Sequence, residues 1–189
     1  MNLSQLINLS RALLDEPDDL FYSDEELTAW LNEGQVEIAN RVNHLTDVAT
    51  ADINIKGKVW TLPDNFIKEF KILYNDKVLP KIEFEEEYEK GYFIWGDILN
   101  LNFEIGNGEL KAYYYRTPEL MEEDNDNPEV PVQYRRSLID YALYKALQKD
   151  EKYQMAESHK RDFMETIMQM VKNKPKAPRK TSFKVQRRG

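Results

Sequence analysis

The feature that most constrains this chain is an abrupt helix start at Ser23, followed by a one-sided apolar stripe. The Ser23 hydroxyl is placed to accept the backbone N–H of Glu26, and the Glu26 carboxylate reaches back to the N–H of Ser23. That reciprocal pair is a capping box, and Tyr22 and Leu27 stand where a hydrophobic staple closes over it. Asp24, Glu25 and Glu26 put negative charge in the first turn, where the helix dipole is positive. Leu27, Trp30, Leu31, Ile38, Val42 and Leu45 then recur at spacings of three, four and seven, so the sequence predicts a helix over 22–45 with one buried face. Gly34 interrupts the stripe at a cost of about 1 kcal/mol relative to Ala. Its reading is close packing against another backbone, in preference to a ligand position.

A capped amphipathic helix must bury its stripe against something, and 189 residues with 41% hydrophobic content suffice for one domain with a real core. The chain has no cysteine, which removes disulfides, thiolate nucleophiles and Cys-ligated zinc together and fits a reducing cytoplasm. No apolar run approaches the ~20 residues that span a bilayer, so the expectation is a soluble protein without a membrane partner. The net charge of −8 hides an asymmetry. Residues 172–189 carry eight of the 26 Lys and Arg and none of the 34 acids, which leaves a body of charge −16 and a basic tail. An acidic body argues against a general nucleic-acid-binding face, since phosphate neutralisation supplies most nonspecific affinity.

Leu3, Leu6, Ile7, Leu13 and Leu14 predict a short first helix, closed by Pro17 and the acidic cluster of 15–19. After Leu45 the period changes. Val59–Leu62 reads as a strand returning from a turn at Lys56-Gly57-Lys58, with Pro63 ending it. Phe66–Tyr74 is β-prone, and Asn75-Asp76 is a tight turn into Val78-Leu79. The acidic run 83–90 reads as a solvated helical turn. Tyr92–Trp95, Ile98–Phe103 and Glu109–Arg116 give three more strands, so the segment predicts a small antiparallel sheet. Alternation turns Tyr114 to the face opposite Tyr113 and Tyr115, which favours packing over base stacking.

The 117–131 stretch, with three prolines and the acids Glu122, Glu123, Asp124 and Asp126, reads as a solvated loop. As a calcium loop opening at Asp124 it would need a glycine where Glu129 stands and a bidentate acid where Arg135 stands, so that motif fails. Pro131 then starts a helix whose buried side is Leu138, Ile139, Ala142, Leu143, Ala146 and Leu147. Past the link 149–152, a second long helix carries Tyr153, Ala156, Phe163, Ile167, Met170 and Val171, and the pair predicts an antiparallel helical hairpin. Its Phe163, Met164, Ile167, Met168 and Met170 read as packing surface. The fold class is therefore α+β, mainly α: two N-terminal helices and a C-terminal hairpin (1–45 and 131–171), an antiparallel sheet insertion (46–130) and an extended basic arm (172–189).

Little in the chain carries reaction chemistry. The two histidines, His44 and His159, fall in different predicted helices without H-E-x-x-H spacing and read as solvent-facing or structural. There is no G-x-S-x-G elbow and no P-loop, and no spacing singles out an acid and base pair. No cofactor, metal or catalytic residue is expected.

The order of elements, with particular stretches, resembles the head-to-tail connector, or portal adaptor, proteins of tailed bacteriophages. Residues 22–41 (YSDEELTAWLNEGQVEIANR) are similar to that family's second helix. Trp60–Phe66 (WTLPDNF) is similar to the start of its sheet, and Tyr115–Leu120 (YRTPEL) to its end. Pro131–Leu143 (PVQYRRSLIDYAL) with Ala156, His159 and Phe163 is similar to its hairpin. The resemblance covers residues 1–171. It implies a homo-oligomeric ring, twelve copies in number, docked beneath the phage portal protein. Such a ring prolongs the DNA channel, passes DNA without sequence-specific binding and offers attachment to a downstream tail or nozzle protein. By position it also implies a portal-binding arm, with Lys174, Lys176, Arg179, Lys180, Lys184, Arg187 and Arg188 as its charges and Phe183 and Val185 as its apolar anchors.

Two other readings follow from the residues. A nucleic-acid-binding accessory protein gripping through the basic tail would neutralise eight phosphates, with a log-affinity slope of about −7 against log salt. A metal-dependent hydrolase built on Asp124 and Asp126 would require divalent binding that vanishes when both become Asn.

Overall fold

The computed structural model describes residues 1–16, 21–53, 59–84, 90–103 and 108–174, with 51–53 described by backbone alone. The Pro17 break, the Lys56-Gly57-Lys58 turn, all but the ends of the 83–90 acidic turn, and the arm beyond Lys174 lie outside these residues.

Helix α1 (Leu3–Leu14) opens with a capping box of its own, in which the Asn2 side chain accepts the N–H of Gln5 and the Gln5 side chain accepts that of Asn2. Helix α2 (Asp24–Val42) opens with the expected box, Ser23 Oγ accepting Glu26 N–H and Glu26 Oε2 accepting Ser23 N–H, both at 3.2 Å. It ends three residues earlier than the apolar pattern predicts. Asn43 adopts the left-handed region (φ 50°) and donates its N–H to Ala39 O, so Leu45 is not helical.

Past a 3-10 turn at Val132–Tyr134, α3 (Arg136–Lys149) and α4 (Tyr153–Asn173) form the predicted hairpin. The antiparallel pairing is visible in Tyr134 meeting Asn173, Tyr141 meeting Phe163 and Asp140 meeting His159. All six predicted core positions of α3 are buried. On α4 only Ala156, Phe163, Ile167 and Met170 are buried. Tyr153 and Val171, predicted for the same stripe, are 60% and 50% exposed, and Met168 is 53% exposed, because the hairpin partner covers a narrower band than the spacing suggests.

The strands divide between two sheets instead of one. β1 (Thr46–Ile53), β3 (Phe66–Tyr74), β4 (Lys77–Val78) and β7 (Gly108–Arg116) form one in the order β1-β7-β3-β4. The other holds β2 (Val59–Thr61), β5 (Tyr92–Trp95) and β6 (Ile98–Leu101) in the order β2-β6-β5. Thus β2 does not return along β1. It pairs with β6, and β1 pairs with β7 along its full length. The reason is burial: each antiparallel sheet has one apolar face, and the two cover each other. Leu99 and Leu101 from the small sheet meet Ile72, Leu110 and Ala112 from the large one in a shared core. Asn75 and Asp76 make the tight turn with φ of 46° and 59°, and Gly96 (φ 62°) the turn from β5 to β6. Tyr114 is buried, while its neighbours Tyr113 and Tyr115 flank Phe70 on the outer face.

The 117–131 loop is less solvated than its composition predicts. Glu119, Glu122, Glu123 and Asp124 face water, but Met121 and Val130 enter the core made by the four helices. The fully buried Gln35 donates to Glu119 O (2.8 Å), and Asn32 exchanges two hydrogen bonds with the backbone of Met121. Asp126 accepts the N–H groups of Glu122 and Glu123, which holds its carboxyl below the usual range, and the carbonyls of Asp124 and Asp126 accept from Ser4 and Leu3 at the start of α1. Of the two aspartates considered for a metal site, Asp126 holds the loop's own geometry through its carboxylate, and Asp124 contributes its backbone carbonyl to the start of α1.

Candidate functional site

Of the nine predicted arm residues, Lys174 alone lies within the described residues; Lys176, Arg179, Lys180, Phe183, Lys184, Val185, Arg187 and Arg188 lie outside them. Lys174 is the arm's root. Its Nζ donates to Val42 O at the end of α2 (3.2 Å) and stands 4.7 Å from the ring centre of Tyr115 on β7.

Helix, sheet and loop are joined beside this root. His44 Nε2 donates to Glu129 O (2.9 Å), and burial pushes the imidazole pKa down. Arg116 grips the Glu129 carboxylate with two bonds of 2.6 and 2.8 Å, and this pairing holds that carboxyl below the usual range. A third bond reaches the same carboxylate from Glu119 N–H (2.8 Å).

Two surfaces stand out among the described residues. The first is a groove of about 860 Å³ between α1, one stripe of α2 and the loop. Ile7, Ala29, Val36 and Leu120 give it apolar ground; Glu25, Glu33, Glu37, Glu122 and Asp124 give it carboxylates. The second lies on the small sheet, a hollow of about 340 Å³ where Phe84 and Trp95 are 68% and 70% exposed. Phe84 packs against Phe93 and Trp95 at 5.3 and 5.6 Å between ring centres, so two exposed aromatics and the half-buried Phe93 form one cluster. The groove is not predictable from spacing, because it is assembled from elements distant in sequence.

His159 Nδ1 lies 3.3 Å from Asp140 Oδ1 across the hairpin, and burial pushes the Asp140 carboxyl up. Asp162, one turn along α4, brings a third donor, and the three donor atoms lie within 4.8 Å of one another. This grouping offers three donors where a closed structural zinc site uses four. The Asp140–His159 contact by itself staples α3 to α4, which agrees with a structural reading of His159.

A helical core and a two-sheet core define a protein of mixed α+β class. A family model described as SU10 adaptor protein matches residues 1–186, and the chain belongs to that family of phage adaptor proteins. The family supports a structural virion role in contact with other capsid or tail proteins. No curated protein matches the chain. No described helix is long and apolar enough to cross a membrane.

Proposed function

We propose that this protein is a head-to-tail connector: a ring, twelve copies in number, that docks under the portal, prolongs the DNA channel and receives the tail. The observation that carries the reading is the family match across residues 1–186, with the order of two helices, sheet insertion and helical hairpin. Within it, 1–45 and 131–171 act as the helical body, 46–130 as the insertion and 172–189 as the arm that reaches the portal. The role is structural and non-enzymatic, exercised in the virion after synthesis in the host cytoplasm. The aromatic cluster of Phe84, Phe93 and Trp95 supports this reading, since so much exposed apolar surface suits a partner-facing patch.

The test is capture from phage-infected cells with tagged protein, full length and truncated after Lys174, followed by mass spectrometry. Portal recovered by the full chain and lost on truncation is the expected result. Recovery of nucleic acid without portal would sink it in favour of a nucleic-acid-binding role for the tail.

A further inference from the structure

Helix α2 carries two stripes with different duties. The stripe of Leu27, Leu31, Ile38 and Val42 is buried in the core. The other, Asp24, Glu25, Thr28, Ala29, Asn32, Glu33, Val36 and Glu37, lines the acidic groove. Continued by one turn, this second stripe reaches Arg41, which is bonded to Glu37. Arg41 in turn shares a shallow apolar hollow with Val171 and Lys172 at the end of α4. The described chain ends with Lys174 bonded to Val42 O, five residues along α2 from Glu37, the last α2 residue that lines the groove.

We infer that the groove binds the chain's own basic arm, residues 175–189, when no other partner holds that arm. Three observations carry this. The first is reach: fifteen residues of extended chain span up to about 50 Å, whereas α2 from Val42 back to Asp24 measures about 27 Å. The second is charge. The arm segment carries six Lys or Arg and no acid. Of the groove's carboxylates, Asp24, Glu33 and Glu37 have ion pairs with Arg11, Lys145 and Arg41, which leaves Glu25, Glu122 and Asp124 without an ion pair among the described residues. The third is apolar match. Phe183 and Val185 are two residues apart, so an extended arm turns both to one face. Val36 and Leu120, the latter 57% exposed, offer ground for that face. Tethering then supplies a millimolar effective concentration for the arm's own groove, without any portal or second copy.

The experiment uses the full chain, which has no cysteine of its own. A nitroxide is attached at Gln186→Cys, and paramagnetic broadening is read on the backbone amides of isotope-labelled protein. Broadening is expected at residues 24–37 and 120–124, falling at least about threefold between 0.1 and 1 M salt as the Debye length drops from about 10 to 3 Å. The triple variant Glu25→Lys, Glu122→Lys, Asp124→Lys is expected to abolish it; the salt series on the parent protein keeps the test decisive should that variant misfold. Broadening absent, or confined elsewhere, overturns the inference. Broadening that appears when spin-labelled unenriched protein is mixed with enriched protein lacking the label assigns the groove to a neighbour's arm and overturns the occupant named here. The protein is studied alone, so failure leaves portal docking by the arm standing.

Discussion

The side chain that ties loop to helix most tightly is Gln35, fully buried on α2. Its amide donates to Glu119 O and to Asn32 Oδ1, the latter also accepting the Met121 N–H, so one residue organises the loop's approach to the core. Gln35→Ala empties a fully buried side-chain site and removes the hydrogen bonds to Glu119 O and Asn32 Oδ1, and is expected to cost about 2 kcal/mol. Urea denaturation checks it: the midpoint falls at unchanged slope. An unchanged midpoint would show that the loop's contacts are replaceable by water. His44 gives the molecule a pH signature. Its pKa is lowered on folding from the ordinary 6.5 because burial penalises the charged ring. The unfolded chain therefore binds the proton more readily, so this contribution is fully present above pH 6.5 and drains as pH falls through the depressed folded value. Asp140, raised by burial, works with the opposite sign from its ordinary 3.8 upward. The difference between parent and His44→Gln isolates the histidine. The parent is expected to lose more stability than the variant between pH 7.5 and 5, and parallel curves over that window would refute it.

At the scale of elements, α2 and α3 meet at Gly34. A Cβ placed there would lie 3.2 Å from Cβ and Cγ of Tyr141. The close approach expected from the sequence is real, but the neighbour is an aromatic side chain and not a backbone. That ring is packed against Phe163, and its hydroxyl lies 3.4 Å from Glu33 Oε2, so it has little room to retreat. Gly34→Val is therefore expected to destabilise by about 1–3 kcal/mol through overpacking, despite the helix-propensity gain of leaving glycine. Thermal melting decides it, and a raised Tm would mean that the hairpin shifts freely. Helices were legible in the sequence because caps and a 3.6-residue period are local signals, and Ser23 with Glu26 needed no knowledge of the rest of the chain. Strand pairing was less so. The apolar character of Val59–Leu62 says that a strand exists but not that Asn100, forty-one residues on, lies opposite Val59. The groove was least legible, since Ile7, Val36 and Leu120 come from three elements that only folding brings together.

At the scale of the whole molecule, charge governs how copies meet. A body of −16 with a tail of +8 gives each copy a net charge of −8, so copies repel at long range. Around 0.1 M salt the Debye length is about 10 Å, long enough for facing bodies to feel this repulsion at contact. If arms also rest in their own grooves, they are withdrawn from bridging neighbours, and the acidic groove wall is the part they neutralise. Purified protein is therefore expected to sediment as a single 22.4 kDa species at that salt. Ring formation is expected to require the portal, which supplies a template and a competing site for the arm. Sedimentation velocity across a salt series reads this directly, with self-association rising as salt screens the bodies. A stable ring of the isolated protein at low salt would show instead that subunit faces outweigh the charge, and that the connector assembles before it meets the portal.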